Sequence, residues 1–262
     1  MARAGVKRYP TMFNDEQLER YSRQLMVDEL DLAGQEALAA ARVLIVGCGG
    51  LANPAALYLA GAGVGRLVLA DDDRVEVSNL HRQVAFRGGQ VNQFKAEALR
   101  DQLQQLNPEV DVRAAVVRVD DAWLEVAVAE ATLVLDCTDN FVTRQAINRA
   151  CVRHRKPLVS GAAIRMDGQL AVFDLRAPEA PCYACVYGEG TDGDLACNQA
   201  GIVGPVVGAV GTLQALAAIR VLSGAQLGGK LHLFDGRSLE WRQVTLRRDP
   251  GCVVCGSNHD GD

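Results

Sequence analysis

The sequence has no surplus of positive charge. Its 27 Lys and Arg stand against 32 Asp and Glu, for a formal net charge of −5 and a pI near 5.5. That excludes a nucleic-acid partner held by phosphate neutralisation. Residues 1–10 have charges but lack the apolar run of a secretory leader. The eight cysteines are therefore expected as reduced thiols in the cytoplasm, not as a disulfide framework. Internal repeats and low-complexity linkers are also lacking. One stretch, 195–219, has no charged residue and is long enough to span a bilayer. Five glycine or proline positions (Gly201, Gly204, Pro205, Gly208, Gly211) and polar Asn198, Gln199, Thr212 and Gln214 interrupt it. A loop followed by a buried helix is expected there, with no membrane partner.

What remains is an ordinary globular composition, 49% apolar and 23% charged. At 262 residues the chain can bury a full core. Strand-like and helical segments alternate through the first 160 residues. Helix is expected over 13–41, strand over 42–46, helix over 55–62, strand over 66–70 and helix over 95–106. Strands over 111–119 and 133–135 and a helix over 143–152 follow. That alternation predicts an α/β fold with a Rossmann-like, mostly parallel sheet. Segments 161–175 and 230–247 look antiparallel, so the sheet should continue into an antiparallel half. The expected organisation is a single domain, 1–262. It divides into a first half, about 40–150, and a second half, about 155–256.

Two CxxC pairs, Cys182/Cys185 and Cys252/Cys255, lie in that second half beside turn-forming residues. Each pair has the spacing of half a zinc knuckle, and together they complete a four-thiolate structural Zn²⁺ site. A redox CxxC would follow a strand in a thioredoxin-like unit, and neither pair does.

Gly47-Cys48-Gly49-Gly50-Leu51-Ala52 lies between a predicted strand and a predicted helix, where a glycine loop lets backbone approach phosphate. Asp71 ends the next strand, at the spacing of a carboxylate that binds ribose hydroxyls. These features alone suggest an NAD(P)-dependent oxidoreductase. The residues that follow do not: Asn79, Arg82, Gln83 and Lys95 place an amide and two cations just beyond the ribose carboxylate. Two cations at one site suit a triphosphate whose charge moves during reaction. Asp139, at the end of a further strand, supplies a carboxylate for Mg²⁺.

The glycine run after Arg42, then Asp71 and Asp73, then Ser78-Asn79-Leu80-His81-Arg82-Gln83, then Asp136-Cys137-Thr138-Asp139-Asn140 resemble the HesA/MoeB/ThiF family of the ubiquitin-activating superfamily. The likeness runs from Arg20 to Gly256 and takes in 159–165, 200–208 and both cysteine pairs. It implies adenylation of the C-terminal Gly-Gly carboxylate of a ubiquitin-like sulfur carrier by ATP. It further implies nucleotide contacts from Gly47, Gly49, Gly50, Asp71, Asp73, Asn79, Arg82, Gln83 and Lys95, and Mg²⁺ at Asp139. Arg23 would reach the other subunit's active site in a homodimer, and a separate protein would donate sulfur. Cys197 has two open readings, covalent chemistry with the carrier or a plain loop residue. Two segments depart from the family pattern. Ala52-Asn53-Pro54 replaces the final loop glycine, and Val91-Asn92-Gln93-Phe94 replaces a Gly-x-Pro turn before Lys95. The competing class is a non-catalytic zinc-stabilised scaffold that binds a ubiquitin-like protein.

Overall fold

The computed structural model describes residues 12–188 and 201–256. Among these, one eight-stranded sheet organises the chain, in the order β3-β2-β1-β4-β5-β6-β7-β8. The strands are β1 (Arg42–Val46), β2 (Arg66–Ala70), β3 (Asp111–Ala115), β4 (Leu133–Asp136), β5 (Leu158–Ile164), β6 (Asp167–Phe173), β7 (Lys230–Asp235) and β8 (Glu240–Thr245). The first five pair in parallel, and β5 to β8 form an antiparallel run. The mixed sheet expected from the sequence is present.

Strand alternation decides the two cores. In β1, Val43 and Ile45 join one core while Leu44 and Val46 join the other; in β4, Leu133 and Leu135 divide from Val134 in the same way. The first core is covered by α3 (Asp31–Ala40), α4 (Ala52–Gly61), α5 (Lys95–Leu106) and α9 (Gly204–Leu222). The second is covered by α6 (Asp121–Glu130), α7 (Phe141–Arg153) and α8 (Tyr183–Tyr187). Helix α9 is long and apolar enough to cross a membrane. Here it packs on α4 and on strands β5 and β6, with Val206, Val210, Gly211, Ala215 and Ala218 buried.

The structure differs locally from the expected elements. The single helix over 13–41 is instead α1 (Asp15–Arg20), α2 (Ser22–Leu25) and α3. Tyr21 breaks it by burying its ring and accepting a 2.9 Å hydrogen bond from Asn107 Nδ2, and Asp31 enters α3 at φ 49°. The strand over 111–119 stops at Ala115, because its partner β2 stops at the paired Ala70. Helix α6 was not anticipated, although Asp120 caps it by accepting from Trp123 N–H at 2.8 Å and Leu124 and Val128 face the core four residues apart.

Candidate active site

Strand order reverses between β1 and β4, and in a doubly wound sheet the crevice beyond those two carboxyl ends is the ligand site. The glycine loop leaves β1 there. Gly47 has φ 84°, and a side chain on it would meet the Cys137 carbonyl oxygen at 2.8 Å. Glycine thus lets the loop lie flush against the turn after β4. Helix α4 starts earlier than expected, at Ala52, so Asn53 and Pro54 fall in its first turn, where proline's missing N–H costs nothing. Asn53 is fully buried. Its Nδ2 donates to the Cys48 and Gly49 carbonyls at 3.1 and 3.0 Å, and its Oδ1 accepts from Ala85 N–H at 2.9 Å. This departure from the family pattern therefore staples the loop.

Asp71 closes one side of the cradle. Its carboxylate accepts from Cys48 N–H at 2.6 Å and from Asp73 N–H at 2.8 Å. Burial pushes its carboxyl above the ordinary value, more than those N–H groups and Lys95 pull it down. Lys95 opens α5, is buried, and holds Asp73 Oδ2 at 2.8 Å. The unusual turn before it works because Asn92 takes φ 74°, a left-handed conformation that asparagine tolerates. Arg74 covers the same turn, its guanidinium 3.7 Å from the Phe94 ring centre.

The next loop completes the cradle. Buried Asn79 accepts from Glu76 N–H at 3.2 Å. Arg82 donates to the Ser78 carbonyl at 3.0 Å, and its stem lies beside Gly50. Gln83 is buried against Gly49, its Oε1 without a hydrogen-bond partner among the described residues. The fold therefore brings together Gly47, Gly49, Gly50, Asp71, Asp73, Asn79, Arg82, Gln83 and Lys95. Asp139 is exposed in the turn after β4, the turn that Gly47 packs against at Cys137 and Thr138. Arg23 is exposed on α2 and has no hydrogen bond or ion pair with this set. Cys197 lies outside the described residues.

A buried network beneath the crevice escaped sequence reading. Asp136 Oδ1 accepts from Thr138 N–H at 3.0 Å and Thr138 Oγ1 at 2.7 Å, and Oδ2 accepts from Ser160 Oγ at 2.8 Å. Arg144, on α7, lies with its Nε 3.8 Å from Asp136 Oδ2. Gln214, on α9, donates to the Asp136 carbonyl at 2.8 Å. The one signal in the sequence was an amide in the middle of an uncharged helix.

On the α7 face the two CxxC pairs meet. Sulfur separations are 3.9 Å for Cys182–Cys185, 3.7 Å for Cys182–Cys252 and 3.4 Å for Cys185–Cys255, and all four thiols are free. Four sulfurs at about 2.3 Å from one tetrahedral ion stand about 3.8 Å apart. Asn148 Nδ2 and Asp249 N–H donate to Cys182 and Cys185 at 3.6 and 3.4 Å, as outer partners of a thiolate site do.

A parallel sheet with a stapled glycine loop, a ribose-type carboxylate and two cations at its switch point defines a Rossmann-like nucleotide-binding protein. A model of the ThiF family matches residues 21–254, and the chain belongs to that family. It is 50% identical over 248 residues to the sulfur carrier protein ThiS adenylyltransferase of Escherichia coli (strain K12), covering 94% of this chain and 98% of that protein. It is 44% identical over 245 residues to the molybdopterin-synthase adenylyltransferase of Salmonella typhimurium, covering 93% and 98%. Among solved structures, E. coli MccB with ATP aligns with a TM-score of 0.78 at 25% identity, covering 90% of this chain and 74% of that one.

Proposed function

We propose that the chain adenylates the C-terminal Gly-Gly carboxylate of a ubiquitin-like sulfur carrier protein with ATP, releasing pyrophosphate and preparing the carrier for thiocarboxylate formation. The observation that carries this is the cradle at the β1/β4 switch point, in a chain 50% identical to a sulfur-carrier adenylyltransferase over nearly the full length of both. The scaffold and oxidoreductase readings have no such support.

The carrier carboxylate attacks the α-phosphorus of ATP, an acyl-adenylate forms and pyrophosphate leaves. A terminal carboxylate is already ionised at neutral pH, so the reaction needs no general base. The protein's task is alignment and charge neutralisation. Asp71 accepts from the ribose hydroxyls. The glycine loop N–H groups, Asn79, Arg82 and Lys95 meet the phosphates, with Lys95 exchanging its Asp73 partner for a phosphate oxygen. Asp139 would hold Mg²⁺, which would supply positive charge against the phosphates. Cys182, Cys185, Cys252 and Cys255 hold a structural Zn²⁺, which their sulfur spacing fits. Arg23 reaches the other protomer of a homodimer, the arrangement its exposure without a partner in this cradle accommodates.

The test is ATP–pyrophosphate exchange with purified thiamine-type and molybdopterin-type carriers, each with and without its terminal Gly-Gly. Exchange that requires one intact tail identifies the client. Arg82→Ala and Asp139→Ala should each lower exchange on the order of 10²-fold. Near-normal exchange in either overturns the site assignment, and no exchange with any carrier returns the scaffold reading.

A further inference from the structure

We propose that Arg144 is a positioning residue for the adenylation site: from inside the α7 face it fixes the turn after β4, and through that turn the Asp139 carboxylate. The inference rests on the reading of Asp139 as the Mg²⁺ carboxylate.

The backbone creates the need. Strands β4 and β5 pair only as far as Asp136 and Ser160. Beyond that point Cys137 N–H still donates to the Val46 carbonyl at 2.9 Å, but Thr138 and Asp139 have no ladder partner, and the turn must stay in place against the glycine loop. Side chains take over where the ladder stops. Arg144 Nη2 donates to the Thr138 carbonyl at 2.5 Å and to the Gly161 carbonyl at 3.3 Å, tying the turn to β5. From the opposite face, Gln214 Nε2 donates to the Asp136 and Val159 carbonyls at 2.8 and 3.3 Å. Gly161 is glycine because a side chain there would meet Gln214 Cδ at 2.4 Å. The turn is thus gripped from both faces of the sheet.

Arg144 is the charged half of this grip. Its side chain is 15% exposed and its counter-ion Asp136 is 1% exposed, so the pair sits in the interior beside Tyr183 and Tyr187. Asp136 spends both oxygens on Thr138 and Ser160, which leaves the guanidinium free to hold main-chain carbonyls instead of closing a tight ion pair. Both carbonyls, one in the turn and one on β5, are held by the single nitrogen Nη2, whose place is set by the length and rigid plane of the guanidinium, which a lysine ammonium does not reproduce. Because Gly47 lies against Cys137, displacement of this turn moves the phosphate loop and the metal carboxylate together.

The experiment compares wild type, Arg144→Lys and Asp139→Asn in pyrophosphate exchange, with Mg²⁺ titrated at saturating ATP and carrier, together with the carrier KM and the Tm. Arg144→Lys should raise the Mg²⁺ concentration for half-maximal exchange by about 10-fold, the low end of the cost of losing an outer-shell partner, since Arg144 acts on Asp139 only through the turn. The carrier KM should stay near the wild-type value. An unchanged Mg²⁺ midpoint, with only Tm or total active protein reduced, overturns the proposal. If Asp139→Asn itself keeps the wild-type midpoint, the reading of Asp139 fails and the positioning role falls with it, a result recognisable without the Arg144 variant. Should Arg144→Lys not fold, the double variant Arg144→Gln/Asp136→Asn leaves no unpaired buried charge and is read the same way.

Discussion

With the proposed Zn²⁺ held by the cysteine cluster, its removal should destabilise the whole chain, not one loop. The cluster joins the α8 segment to the end of the chain, closing a loop of roughly 70 residues, and the chain-entropy value of such a closure is about 4 kcal/mol. That is an upper figure, since Cys182 and Cys252 are already buried in the second core at 0% and 7% exposure. Against a typical domain stability of about 5–15 kcal/mol it is a large share. For a chain of this size each kcal/mol moves Tm by about 2–4 °C, so chelation should lower Tm by about 8–16 °C. The assay is scanning calorimetry before and after a chelator, with metal content by mass spectrometry and thiol titration in parallel. Expected are one zinc per chain as purified, four newly reactive thiols on its removal and recovery of Tm when zinc is restored. The Cys255→Ser variant should resemble the stripped protein. Protein from zinc-supplied cells that contains no zinc, or that loses it without a fall in Tm, would refute the reasoning.

Gly47→Ala puts an L-residue at φ 84° and a methyl group 2.8 Å from the Cys137 oxygen. It should cost at least about 1–2 kcal/mol in denaturant unfolding and weaken ATP binding, because the loop must leave the turn after β4; wild-type values in both would show that the close approach does not matter. Asp71 gives a pH signature of known sign. Its folded-state carboxyl titrates above the ordinary value, so its contribution to stability is fullest below the unfolded pKa and is lost as pH rises through the folded one. ATP affinity should move oppositely, falling as pH drops and the ribose acceptor is protonated. Asp71→Asn should flatten both profiles; profiles that coincide with wild type would remove Asp71 from the site.

Where the structural cause is local, the sequence was enough. A glycine loop between strand and helix, a carboxylate at the end of the following strand and CxxC pairs beside turn-forming residues all depend on neighbouring residues. That the candidate set from Gly47 to Lys95 lies at one strand end was legible for that reason, while the role of each residue is a proposal. So was the parallel-to-antiparallel change, which follows from segment spacing. Other features depend on what lies across the sheet. Strand β3 ends where β2 ends, a length no propensity in 111–119 encodes. The break at Tyr21 exists because Asn107 and Gly63 receive its side chain from distant segments. Asn53 reads as a lapse in the glycine pattern until Ala85 is seen to donate to it. Arg144 reads as one helix cation among several until the fold shows β4 and β5 parting at Asp136. Only tertiary structure decides which carbonyls are left without a ladder partner, and therefore which side chains must hold them.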